Sequence, residues 1–206
     1  MTEHPDHLAA ISIAYHPSEP ARSSRTGAIW ALGVLSVQRT TDQSARFMVH
    51  HFTYQRDADP RRPLADLKTL TKPTSTVIGY APRRSPHMRH YYRVLGGQSL
   101  QSRLLRGATR KPAIVIRSDQ STLITIAEAH GLVLPVNPAD LLQQARAAPK
   151  HAQAISLAYL WSNCSQRERN GLSAAFRAWR AVEDARPLPF RFRSRVPSVA
   201  EGKTGI

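Results

Sequence analysis

Residues Ala28–Gln38 read AIWALGVLSVQ and residues Ala45–Gln55 read ARFMVHHFTYQ, and these two stretches decide the fold. The first is the most apolar run of the chain, which is typical of a buried strand. The second is rich in β-branched and aromatic residues, which favour strands. Only the polar segment Thr40–Ser44 joins them, so the two strands are predicted to form an antiparallel hairpin.

Further strands and helices are predicted on either side of this hairpin. A short strand, Ala9–His16, precedes it, and a helix with leucines on one face follows at Leu64–Thr71. After that helix, strands alternate with helices: strands at Thr74–Tyr80 and Ala113–Arg117, and helices at about 86–95 and at Thr122–His130. Three antiparallel strands followed by strand–helix crossovers predict an α/β fold with a mixed sheet flanked by helices.

The C-terminal part of the chain is predicted to be helical. Asn137 and Pro138 are typical of a helix start, and that helix is expected to end near Pro149. A further helix is expected over His151–Asn163, and Ser165 with Glu168 forms a capping box for the last one. We expect a flexible leader (1–8), one domain (9–185, helical from 138) and a basic, disordered tail (186–206).

Arginine dominates the charge of the chain. Lys and Arg total 29 against 14 Asp and Glu, a formal net charge of +15 with a pI near 11.1, and only five of the 29 are lysine. So large a net charge is unfavourable to a compact chain through self-repulsion, and guanidinium groups bind phosphate bidentately and stack on bases. A DNA or RNA partner is therefore expected. A G+C-rich coding bias that enriches arginine is the competing explanation.

The strongest binding pattern follows the strand at Thr74–Tyr80, where open α/β sheets place their ligand crevices. Basic residues alternate there with two tyrosines, which suits phosphate neutralisation and base stacking. The predicted nucleic-acid contacts are Arg83, Arg84, Arg89, Tyr91, Tyr92, Arg93, Arg103, Arg106, Arg110 and Lys111. The alternative is a solvated helical face with one tyrosine packed inward. The last helix and the tail could instead dock on an acidic protein partner, as an adaptor would.

The order of elements resembles the ribonuclease H-like fold, and more narrowly the 3′–5′ exonuclease domain of DNA polymerase proofreading subunits. Thr76–Tyr80 (TVIGY) is similar to the strand leading into that family's second motif, and the hairpin around Gly33 and Phe47 is similar too. The resemblance covers roughly residues 9–185. It implies a domain in which carboxylates hold two metal ions.

The carboxylates of that family do not carry over to this chain. The first strand reads ISIAYH at Ile11–His16, the stretch after Tyr80 reads APRRS, and residues 151–160 contain no acid. The resemblance therefore implies a degenerate member, without catalytic residues, metal ligands or cofactors. A metal-dependent nuclease is kept as the catalytic alternative.

Other catalytic patterns are weak or absent. His50 and His51, with Tyr91 and Tyr92, invite comparison with rolling-circle nucleases, but adjacent histidines on a strand point to opposite faces and cannot ligate one ion. The sequence contains no Gly-x-Ser-x-Gly, Walker or dinucleotide-binding motif.

The remaining patterns predict ordinary packing and an ordinary location. Cys164 is expected to be a packed thiol, and the three tryptophans Trp30, Trp161 and Trp179 are expected in the core. No run of 18 apolar residues occurs, so no membrane partner is expected, and the polar N-terminus favours a cytoplasmic location.

Overall fold

The structure, a computed structural model, describes residues 6–15, 29–41, 44–54, 61–82, 109–118, 120–134, 141–183 and 192–193. The strands in these ranges are β1 (His7–Tyr15), β2 (Ile29–Thr41), β3 (Ser44–Tyr54), β4 (Thr76–Pro82), β5 (Ala113–Ser118) and β6 (Phe192–Arg193). The helices are α1 (Arg62–Thr71), α2 (Gln120–Glu128), α3 (Leu141–Asn163) and α4 (Gln166–Glu183).

The strands form one mixed sheet in the order β5-β4-β1-β2-β3-β6. The β1–β2 and β2–β3 pairs are antiparallel, with Thr41 opposite Ser44 at the hairpin, while β4 is parallel to β1 and β5 is parallel to β4. The predicted α/β class is confirmed: a mixed sheet opens with three antiparallel strands and is flanked by helices.

The two faces of the sheet carry separate cores, because successive strand residues point to opposite sides. On one face, strand residues such as Ala10, Leu35 and Ile78 pack against α2, α3 and α4. On the other face, Ile11, Val34 and Val77 pack against Leu67 of α1. We call the first the three-helix face and the second the α1 face.

Helix α3 lies very close to the sheet at Gly33 of β2. A side-chain carbon at position 33 would overlap the carbonyl group of Ala148 and lie 2.6 Å from the nitrogen of Pro149. Small residues continue this close approach, because Ala14 and Ala31 pack against Ala145 and Ala148. Glycine at position 33 is therefore what allows the helix to sit directly on the strands.

The prediction that a helix ends near Pro149 is wrong, because α3 continues through it from Leu141 to Asn163. Proline has no N–H, so the carbonyl of Ala145, four residues earlier, loses its helical donor. The ring of His51, directly opposite Gly33 in the β2–β3 pair, makes a hydrogen bond to the backbone of Ala145. A side chain of the sheet thus bonds to the backbone where the proline leaves the helical bond unmade.

Of the other local predictions, the capping box and the packed thiol are confirmed, and the burial of Trp161 is wrong. The capping box is confirmed: the N–H of Ser165 donates to Glu168 Oε2 at 2.9 Å, and the N–H of Glu168 donates to Ser165 Oγ at 3.4 Å. Cys164 is a buried free thiol, as predicted, and burial raises its pKa. Trp179 packs against Phe47 and Phe176. Trp161 is 46 % exposed, so its prediction as a core residue is wrong.

Two residues of the predicted disordered tail lie in the described part of the chain. Phe192 and Arg193 form β6, which pairs in parallel with Thr53 and Tyr54 of β3. None of the helices in the described ranges is long and apolar enough to cross a membrane.

Candidate nucleic-acid interface

Eight of the ten predicted contacts lie outside the described residues: Arg83, Arg84, Arg89, Tyr91, Tyr92, Arg93, Arg103 and Arg106. The other two, Arg110 and Lys111, precede β5. These two residues are adjacent in the sequence, and the structure shows how their backbone is held. The tail arginines 186, 191 and 195 also lie outside the described residues.

Arg110 and Lys111 form an irregular turn anchored by a buried threonine. Arg110 is exposed and has a φ of +54°, in the left-handed region that costs a non-glycine residue roughly 1 kcal/mol. The N–H of Lys111 donates to Oγ1 of Thr109 at 3.3 Å, and Thr109 is buried. The turn therefore presents the Arg110 guanidinium to solvent.

The parallel strands of the sheet define an amino end and a carboxyl end of the molecule. Because β1, β4 and β5 are parallel, their starts lie at one end of the sheet and their last residues at the other. Arg110 and Lys111 lie at the first, the amino end. Pro82, the last residue of β4, lies at the second, the carboxyl end, and it directly precedes Arg83 in the sequence. The two ends of β4 are roughly 20 Å apart at about 3.3 Å per residue.

The described part of the carboxyl end also carries basic residues that the sequence analysis did not single out. Ala145 and Ala148 pack on Ala14 and Ala31, near the end of β1, which places the first half of α3 there. On the same half, Arg146 and Lys150 are exposed and four residues apart, so they lie on one side of the helix. In the sequence, the four-residue spacing of Arg146 and Lys150 was the signal for this pair. It was easy to miss because the residues around it are mostly alanine.

Strand β1 offers no open carboxylate position on its three-helix face. Ser12 and Ala14 are the residues of its last half that point to this face, and neither is acidic. Ser12 is buried, and Ala14 packs under α3. Among the residues that the structure describes, no group of three His, Cys, Asp or Glu side chains could hold a metal ion.

The paired histidines point to opposite faces, as predicted. His51 lies opposite Gly33 and bonds to Ala145 on the three-helix face, whereas His50 lies opposite Val34 on the α1 face. Burial lowers the pKa of both rings. They cannot bind one metal ion together.

Two carboxylates are already bound to arginines. Arg39 Nη2 lies 2.7 Å from Glu168 Oε1, and the Ser165 hydroxyl and backbone N–H together with Arg39 lower the pKa of Glu168 to about 2. Arg62 Nε lies 3.5 Å from Asp66 Oδ1, and Tyr54 donates to the same carboxylate at 3.2 Å. These acids therefore neutralise basic residues of the fold itself.

No protein-family model and no curated protein sequence matches the chain. Among solved structures, it is similar to Thermus thermophilus RuvC in complex with Holliday junction substrate, with 14% identity and a TM-score of 0.43 over 78% of this chain and 97% of that one. A second Thermus thermophilus RuvC structure has 10% identity and a TM-score of 0.38 over 75% and 93% of the two chains.

Proposed function

We propose that this protein binds DNA or RNA through the phosphate backbone and does not cleave it. One observation carries the proposal: within the described ranges, sixteen Lys and Arg residues stand against five Asp and Glu residues. Two of these five, Asp66 and Glu168, are bound to arginines. The excess positive charge is therefore not neutralised by acids within these ranges, and a phosphate polymer is the partner that neutralises it.

The proposed interface begins after Pro82, the last residue of β4, at the carboxyl end of the sheet. Arg83, Arg84, Arg89, Arg93, Arg103 and Arg106 would hold phosphates, and Tyr91 or Tyr92 would stack on a base. The exposed Arg146 and Lys150 of α3 support this location, because they lie at the same end. The covered positions Ser12 and Ala14 support binding without metal-dependent cleavage, since β1 presents no carboxylate there.

The test replaces Arg83, Arg84 and Arg89 together by alanine. We expect weaker binding to every sequence, and a plot of log affinity against log salt that is shallower by about two to three, because each phosphate contact contributes about 0.7 to 0.9 to that slope. Fluorescence anisotropy of labelled single-stranded and duplex oligonucleotides over a salt series measures both quantities.

The matched control removes three exposed charges elsewhere, with Arg46→Ala, Lys68→Ala and Arg177→Ala. It should weaken binding much less. If the Arg83, Arg84, Arg89 variant and the parent bind with equal affinity, the assignment of this surface is wrong. An equal loss in both triple variants would mean that net charge alone determines the affinity.

A further inference from the structure

Trp161 is an exposed aromatic residue at the end of an otherwise buried helical stretch. Residues 152–160 of α3 are all buried, yet Trp161 is 46 % exposed. This half of α3 packs against Leu8 and Val37, which places Trp161 toward the amino end of the sheet. Large aromatic rings bury much apolar area when they find a partner, so an exposed indole is available for a ligand.

One arginine of α4 lies beside this indole. The guanidinium carbon of Arg169 lies 5.5 Å from the centroid of the Trp161 ring, within the range of a cation–π contact. The Nε atom of Arg169 is buried and makes no hydrogen bond. Arg167, two residues earlier, is exposed.

The acid between these two arginines does not cancel their charge. Glu168 is bound by Arg39 at 2.7 Å and by the hydroxyl and the N–H of Ser165. The negative charge of Glu168 is therefore neutralised by Arg39. Arg169 remains as the positive charge beside the indole, and the exposed Arg167 lies in the same first turn of α4.

We propose that Trp161, Arg167 and Arg169 form a second nucleic-acid contact, in which an unpaired base stacks on the indole and the guanidinium groups bind the flanking phosphates. The inference rests on the proposed function and extends it to single-stranded segments. An aromatic platform beside a positive surface is the arrangement that binds single strands without sequence preference. A strongly acidic protein segment would satisfy the arginines, but it would not stack on the indole as a base does.

Trp161 lies far from the carboxyl end of the sheet, where β4 ends and the first proposed contact begins. Helix α3 runs from Ala145, at the carboxyl end, to Trp161, a distance of roughly 24 Å at 1.5 Å per residue. A variant at Trp161 therefore leaves the carboxyl-end surface intact. The inference can therefore fail while the proposed function stands.

The experiment titrates an oligo(dT) strand into the full chain and into Trp161→Phe, Trp161→Ala and Arg167→Ala variants. Stacking should quench the parent's tryptophan fluorescence, and Trp161→Phe should lose most of the quenching while keeping most of the affinity. Trp161→Ala should bind roughly ten- to hundredfold more weakly, the range for one lost stacking contact. Val182→Ala, at another exposed apolar residue, and Arg177→Ala, on the same helix, are the matched controls and should bind like the parent.

Three results would overturn the inference. If the parent binds oligo(dT) but Trp161→Ala and Trp161→Phe bind and quench as the parent does, this contact is absent while the proposed function stands. If the parent binds no nucleic acid, the proposed function and the inference both fail. If a nuclease-treated preparation carries an acidic protein that Trp161→Ala releases, the occupant is that protein. Thermal melts confirm that each variant is folded.

Discussion

A single histidine on the sheet makes a hydrogen bond to the turn of helix α3 that Pro149 interrupts. Pro149 removes the donor for the Ala145 carbonyl, and the half-buried ring of His51 makes a hydrogen bond to the backbone of that residue. Gly33, opposite His51, leaves the space for the helix to approach. Three residues that are distant in sequence therefore act as one unit.

This unit predicts a non-additive pair of substitutions. His51→Ala should lower the free energy of unfolding by about 1–3 kcal/mol, the cost of a buried carbonyl without its donor. In a Pro149→Ala background the loss should be smaller, because an alanine at position 149 offers the helical N–H. Urea unfolding of the four proteins of this cycle gives the coupling energy. Equal costs of His51→Ala in both backgrounds would refute the role assigned to His51.

At the scale of an element, the start of α4 depends on Glu168. Its carboxylate accepts hydrogen bonds from the backbone and hydroxyl of Ser165 and from Arg39 of β2. The capping box therefore also connects α4 to the sheet. These bonds lower the pKa of Glu168 from 4.5 to about 2.

The lowered pKa predicts a pH dependence of stability. Since the carboxylate is favoured in the folded state, its contribution is complete above about pH 4.5 and is lost as the pH falls toward 2. Glu168→Gln should be less stable than the parent at pH 7, and the difference should shrink toward pH 2. Burial also lowers the pKa of His50, His51 and His151, which removes stability from about pH 6.5 downward in both proteins. Urea midpoints from pH 7 to 2 measure the difference, and a constant difference would contradict this role of Glu168.

At the scale of the whole molecule, basic residues lie at both ends of the sheet. Arg146 and Lys150 lie toward the carboxyl end, while Arg110, Lys111 and the Trp161 cluster lie toward the amino end. A nucleic acid that contacts both ends would pass along the molecule rather than bind at one point. Under the proposed function, this arrangement predicts extended backbone contacts rather than recognition of one base.

The non-catalytic part of the proposed function predicts no metal-dependent cleavage. Purified protein incubated with labelled single-stranded and duplex DNA and RNA, with Mg²⁺ or Mn²⁺, should leave the substrates intact. The Arg83, Arg84, Arg89 variant, prepared in parallel, controls for contaminating nucleases, which the substitutions would not affect. Cutting that EDTA abolishes, and that the variant loses, would establish the nuclease alternative.

Much of the fold was predictable because it depends on neighbouring residues. The apolar run of β2 and the short turn after it define the hairpin, and the Ser165–Glu168 spacing defines the start of α4. The candidate site was less predictable. The sequence analysis grouped Arg110 and Lys111 with the basic residues that follow Pro82. Because β4 and β5 pair in parallel, Arg110 and Lys111 lie at the opposite end of the sheet from Pro82.

The amino-acid sequence alone determined the class of sheet, its opening hairpin and the excess of arginine, since strand period, turn length and charge are local properties or sums over residues. Only the tertiary structure decided that α3 continues through Pro149, that Trp161 lies at the surface, and that basic residues fall at both ends of the sheet. These features depend on which distant residues meet: His51 with Ala145, Gly33 with Ala148, and Arg169 with Trp161. Such contacts form only when the sheet and its helices pack together.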